Sequence, residues 1–141
     1  MRYLLDTHIF VWYAKEQENL SRDVTAILDN EDSELLISIE SVKELLMLHR
    51  SKRLFRKYWR SAIEMIDSIQ DEYYIRIVQP DMEVMRTMAK MEVNEAQEHN
   101  DPSDHVIIAQ AITMGLPLIS GDHKFPFYRR QGLDLIYNGK E

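Results

Sequence analysis

Cysteine does not occur among the 141 residues. Its absence excludes disulfides, thiolate zinc sites and a cysteine nucleophile, and a reducing cytoplasm is the simplest setting for such a chain. Glycine is scarce as well. Four glycines leave no glycine-rich loop to cradle a nucleotide, and neither GxxxxGK[ST] nor GxGxxG is present. With four prolines, no repeat and no Gly/Ser-rich linker, residues 1–141 read as a single domain. A domain of roughly this size buries about two-thirds of its unfolded surface. No apolar run approaches the roughly 20 residues that span a bilayer, so no membrane association is expected. In the opening "MRYLLDTHIFVWYAKE" the apolar run is interrupted by Asp6, Thr7 and His8, which argues against a signal peptide.

Positive charge is also short. Seventeen Lys and Arg against 24 Asp and Glu give a net charge of −7, which on average repels a phosphate backbone. A nucleic-acid partner therefore needs a local source of cations. "RSKRLFRKYWR" supplies one: Arg50, Lys52, Arg53, Arg56, Lys57 and Arg60, with Phe55, Tyr58 and Trp59 interleaved. That composition suits phosphate contact and base stacking. It suits a solvated basic helix or a protein-docking face equally well.

Short apolar runs at Tyr3–Asp6, Glu34–Ser38, Tyr73–Val78, Leu116–Ser120 and Leu133–Ile136 read as strands covered on both faces. Helical patterns occupy Thr7–Lys15, Ser21–Asn30, Ser41–Arg50, Arg56–Asp71, Met82–Val93 and Pro102–Met114. The alternation predicts an α/β fold: a three-layer α/β/α sandwich with a central, mainly parallel sheet of four to five strands. Ser21 and Asp101–Pro102 are helix starts, Gly115 is a helix stop, and polar Asn94–Asn100 is the longest expected loop.

Each acidic residue has an ordinary use by itself. Asp6 and Asp101 fit helix caps, Asp104 a first helical turn, Asp122 a turn after a strand, and Glu44 a solvated helix face. Their placement is less ordinary. Asp6 and Asp122 fall at or just past the carboxyl ends of predicted strands, and Asp104 opens the helix leading to the fourth. Open parallel sheets bind ligands at that rim. Gathered carboxylates repel and raise one another's pKa unless a cation neutralises them. Magnesium or manganese, which take oxygen ligands, are the economical partners, and a pair of such ions suits phosphodiester displacement. His8, His99, His105 and His123 each lie within two residues of one of these aspartates and suit hydrogen-bonding support. A serine hydrolase built on Ser38, Ser103 or Ser120 would lack a GxSxG elbow.

"LLDTHIFVW", "ISIESVKEL", "HNDPSDHVIIAQA" and "LPLISGDHKFPFY", in this order, resemble the PIN-domain ribonucleases, in particular the VapC-type toxins of prokaryotic toxin–antitoxin pairs. The resemblance implies a metal-dependent endoribonuclease in which Asp6, Glu44, Asp104 and Asp122 hold Mg2+ or Mn2+ and are the catalytic set. Asp101 matches the first aspartate of the DPxD signature as a secondary candidate. Ser120 stands where the family often has threonine, and it is expected, with His99, to support the site. RNA as substrate, a cognate antitoxin and a homodimer are implied as partners, and the basic stretch Arg50–Arg60 then serves RNA or antitoxin. Three residues depart from the commonest pattern: Ser103 and His105, where DPFDR has phenylalanine and arginine, and Lys43, where an aromatic often precedes the glutamate. The alternative reading is a non-catalytic PIN-like module that binds RNA or protein. A phosphatase or receiver-like phosphoacceptor would need a DxD or paired-acid setting, which "LLDTHIF" does not offer.

Overall fold

The computed structural model describes residues 1–139. Five strands, β1 (Arg2–Leu5), β2 (Glu34–Ser38), β3 (Arg76–Val78), β4 (Leu118–Ser120) and β5 (Leu135–Tyr137), form one sheet in the order β3-β2-β1-β4-β5. Every pairing is parallel, as with Leu5 opposite Ile37 and Ile119. Helices α1 (Thr7–Lys15), α2 (Arg22–Asp29), α3 (Ile39–Ser51), α4 (Arg53–Tyr58), α5 (Ala62–Asp71), α6 (Met82–Lys90) and α7 (Pro102–Met114) cover both faces. The expected three-layer α/β/α sandwich is what forms.

Side chains alternate across a strand, and this alternation sorts the core into layers. Leu5, Leu35, Ile37 and Ile119 pack with Ile9, Phe10, Leu45, Trp59, Met65 and Ile69 of the helices on one face. Leu4, Leu36 and Leu118 pack on the other with Ile107, Ile108, Phe125 and Tyr128. The strand order reverses direction at β1, between β2 and β4. At such a switch point the loops leaving neighbouring strands diverge and open a crevice.

Side-chain caps fix where the helices begin. Asp6 caps α1, Ser21 α2, Ser38 α3, Asp81 α6 and Asp101 α7, whose first residue is Pro102. Gly115 ends α7 in the left-handed conformation at φ 64°, where a side chain is strained. The predicted helix Arg56–Asp71 is instead two helices, α4 and α5. Ser61 Oγ accepts from Glu64 N, and Glu64 Oε2 accepts from Arg60 N. This reciprocal cap restarts the helix. Trp59 turns into the core in the break and is 2% exposed. The third strand is also shorter than predicted, because Tyr74 sits at φ 55°, outside the extended region a strand requires.

Candidate active site

Asp6, where β1 hands over to α1, lies beside the end of β4. Its Oδ1 accepts from Thr7 N at 2.8 Å, and its Oδ2 accepts from Ser120 Oγ at 2.8 Å. Ser120 Oγ in turn accepts from Asp122 N at 3.1 Å, and Asp122 Oδ1 accepts from Lys124 N at 2.9 Å. One serine hydroxyl thus ties together the acidic residues that follow β1 and β4. From α7, Asp104 enters the same space with a side chain 13% exposed, and α3 brings Glu44. Asp6, Glu44, Asp101, Asp104 and Asp122 line one cleft of about 430 Å³, with His8, Trp12, Gly121, His123 and Lys124 completing its wall.

The cleft is electrostatically strained. Burial above all, with the charges of Asp104 and Glu44 adding to it, pushes the Asp6 carboxyl up to about 7, although Ser120 and Thr7 hydrogen bonds favour its charge. Burial also raises Glu44, against the help of Thr7 and His8, and Asp104 and Asp101 push the same way. Among the described residues no Lys or Arg forms a salt bridge to any of the five acids. One carboxylate oxygen from each of Glu44, Asp101 and Asp104 can be chosen so that all lie within 4.8 Å of one another. The same holds for ligand atoms of His99, Asp104 and Asp122. Asp104 is common to both groups. Thr7, fully buried, turns its hydroxyl toward Glu44 and favours the charged carboxylate. Five carboxylates on one cleft, with no Lys or Arg salt bridge among the described residues, fit a hard divalent cation.

Sequence reasoning passed over Thr7, Trp12, Gly121 and Tyr128. A Cβ on Gly121 would stand 2.9 Å from the Trp12 ring and 3.3 Å from the Asn138 carbonyl oxygen, so the glycine lets Trp12 form the cleft wall. Gly121→Ala is expected to cost about 1–3 kcal/mol and to shift tryptophan fluorescence. A urea melt with fluorescence detection checks both.

The profile of the PIN domain matches residues 3–131. The chain belongs to the PIN domain family. No curated protein sequence gives a significant match. Solved structures do match in fold. VapBC2 from Rickettsia felis, bound to a DNA fragment from their promoter, superposes with a TM-score of 0.72 at 16% identity, covering 99% of this chain and 100% of that one. VapBC-1 from nontypeable Haemophilus influenzae gives 0.69 at 17% identity, covering 97% and 98%. FitAcB from Neisseria gonorrhoeae gives 0.66 at 22% identity, covering 98% and 97%.

Within this PIN domain, the three departures from the commonest pattern have local accounts. Ser103 Oγ donates to Glu40 Oε2 at 3.3 Å, and the same oxygen pairs with Lys43 Nζ at 2.8 Å. The polar replacements at 103 and 43 therefore meet on one carboxylate, bridging α7 and α3. His105 Nε2 lies 2.7 Å from the His99 carbonyl oxygen and donates to it. The basic stretch needs a correction. Phe55 and Trp59 are 6% and 2% exposed, so neither offers a face for base stacking. Arg56 donates from Nη1 to the carbonyls of His49 and Arg50, closing the end of α3. Arg50, Lys52, Arg53, Lys57 and Arg60 remain exposed beside Leu54, which is 47% exposed. Among the described residues no helix is long and apolar enough to cross a membrane.

Proposed function

We propose that this PIN domain is a VapC-type toxin, a divalent-metal-dependent endoribonuclease restrained by a cognate antitoxin. The observation that carries the reading is the convergence of Asp6, Glu44, Asp101, Asp104 and Asp122 on one cleft with no salt bridge to a lysine or arginine among the described residues. A binding scaffold would gain nothing from concentrating negative charge where RNA is to lie.

Glu44, Asp104 and Asp122, with Asp6 and Asp101, would hold Mg2+ or Mn2+. When bound, such a cation makes water nucleophilic near neutral pH and offsets charge on a phosphodiester in in-line displacement. The chain's own residues do the rest. Ser120 holds Asp6 and Asp122 at a fixed separation, Thr7 faces Glu44, and Asp6, with its carboxyl near 7, gives up its proton as positive charge arrives. Cation affinity is therefore expected to rise with pH up to about 7 and then level off. Trp12 and His8, with ring centroids 6.0 Å apart, form an aromatic side to the cleft, and His123 and Lys124 bring donors for phosphate oxygens. Arg50 lies six residues beyond Glu44 on α3, about 9 Å along its axis. The exposed cations that begin there serve the RNA strand or the antitoxin, and a second copy of the chain completes the proposed set of partners.

The test is cleavage of total cellular RNA by purified, antitoxin-free protein with Mg2+, with Mn2+ and with chelator. Discrete fragments bearing 5′-phosphate ends, formed only with metal, are expected. Cleavage that persists in chelator, or none by folded metal-loaded protein across transfer, ribosomal and messenger RNA, overturns the reading.

A further inference from the structure

A buried chain of hydrogen bonds ends on Asp104. The backbone N–H of Asn94 donates to the Tyr128 hydroxyl at 3.1 Å, that hydroxyl lies 2.9 Å from His99 Nδ1, and His99 Nε2 lies 2.9 Å from Asp104 Oδ2. From the residue after Asp104 in α7, His105 Nε2 donates to the His99 carbonyl. Tyr128 is fully buried, His99 is 1% exposed and His105 9%. The rings are packed as well as bonded: the His99 ring centroid is 4.9 Å from that of His105, 5.4 Å from Tyr128 and 5.5 Å from Phe125.

These bonds favour one tautomer of His99. The Tyr128 oxygen already accepts from Asn94, so its single proton goes to the other partner in reach among the described residues, His99 Nδ1. A ring accepting at Nδ1 carries its proton on Nε2, and Nε2 faces the carboxylate oxygen of Asp104. The nearness of His99, Asp104 and Asp122 invites a different reading, with the imidazole itself ligating a cation. That requires the Nε2 lone pair, which this tautomer does not have, and imidazole is a poor ligand for the hard ions that a carboxylate cluster selects.

We propose that His99 is a positioning residue and not a ligand: Tyr128 sets its tautomer, His105 anchors its backbone, and its Nε2–H pins Asp104 Oδ2 so that the carboxylate meets the cation in one orientation. The inference rests on Asp104 being a ligand. It gives His105 a use at the position where the commoner pattern has arginine, and it accounts for the buried Tyr128 hydroxyl. Outer-shell partners of this kind typically change metal affinity 10- to 100-fold.

The experiment combines long-range 1H–15N correlation spectra of histidine-labelled protein with Mn2+ titrations. Metal-free protein is expected to hold His99 protonated on Nε2, unchanged on saturation with diamagnetic Mg2+. Tyr128→Phe is expected to mix the tautomers and weaken Mn2+ binding about tenfold. His99→Ala is expected to weaken it 10- to 100-fold, while His99→Gln, which keeps an N–H donor, stays within about threefold of wild type. A proton on Nδ1, loss of the Nε2 proton on Mg2+ binding, or unchanged affinity in both Tyr128→Phe and His99→Ala overturns the inference. Because the wild-type spectra need no variant to fold, a destabilised Tyr128→Phe leaves it open to refutation. Failure of wild type to bind Mn2+ at all overturns the metal-centre reading, and with it the inference; a wrong tautomer with Mn2+ binding intact removes the inference alone.

Discussion

Asp104→Asn is expected to leave the fold and thermal midpoint within a few degrees of wild type and to lower metal-dependent RNA cleavage by about 10²–10³-fold, because the cation it would hold supplies several kcal/mol of charge stabilisation. The fold should survive because α7 starts from Asp101 and Pro102, not from Asp104. Asparagine also keeps an oxygen for the His99 N–H. Losing an acid from the first turn costs the helix only about 0.3–1 kcal/mol. What asparagine cannot supply is the negative charge at the point common to the Glu44–Asp101–Asp104 and His99–Asp104–Asp122 groups. Rates of cleavage and a thermal melt on the same preparation check the pair of expectations. Activity within threefold of wild type would show that Asp104 is not central.

Asp6→Asn is expected to separate stability from function. In the metal-free protein the Asp6 carboxyl is raised from 3.8 to about 7, by burial first and then by the charge of Asp104. The folded chain therefore binds this proton more tightly than the unfolded chain does. Stability from this group is full below about pH 4 and falls as pH rises through about 7. Each tenfold difference in proton affinity between the two states is worth about 1.4 kcal/mol, so the loss by pH 8 is on the order of 2–4 kcal/mol. Asparagine stays neutral, caps Thr7 through its amide oxygen, and escapes the loss. Metal-free Asp6→Asn should thus be more stable than wild type at pH 8 and nearly equal to it at pH 4. Added Mn2+ should reverse the order by stabilising wild type, by about 4.1 kcal/mol at a thousandfold excess over the dissociation constant, with little effect on the variant. RNA cleavage by the variant should be lost. Urea melts of both proteins at the two pH values, with and without Mn2+, measure all of this. A wild type no less stable than the variant at pH 8 without metal would remove the electrostatic strain from Asp6.

The elements that the sequence displayed most openly were those written in local patterns. β2, α1 and α7 have the predicted bounds, since apolar runs, the Asp101–Pro102 start and the Gly115 stop act within a few residues. The split between α4 and α5 was just as local, in Ser61 and Glu64. It was hidden by a continuous amphipathic pattern across Trp59 that reads as one helix. Asp6, Asp101, Asp104 and Asp122 were legible because strand ends and the DPxD run placed them on one rim, whereas Glu44, by itself an ordinary helix glutamate, came only with the family resemblance. Their fastenings were not. Ser120 and Asp6 are 114 residues apart, and Tyr128 and His99 are 29 apart. A tyrosine in an apolar run gives no sign that its hydroxyl will set the tautomer of a distant histidine. The basic stretch misled for a related reason: composition counts aromatic rings, whereas packing decides which face outward, and Phe55 and Trp59 face the core.

Calorimetric titration of the metal-free protein with Mn2+ at pH 7, repeated in buffers of different ionisation enthalpy, tests the central claim most directly. Saturable binding that releases protons, with the proton yield falling at pH 8.5 and binding weakened in Asp104→Asn, is the expected result. No saturable binding at millimolar Mn2+, or equal affinity in Asp104→Asn, contradicts it.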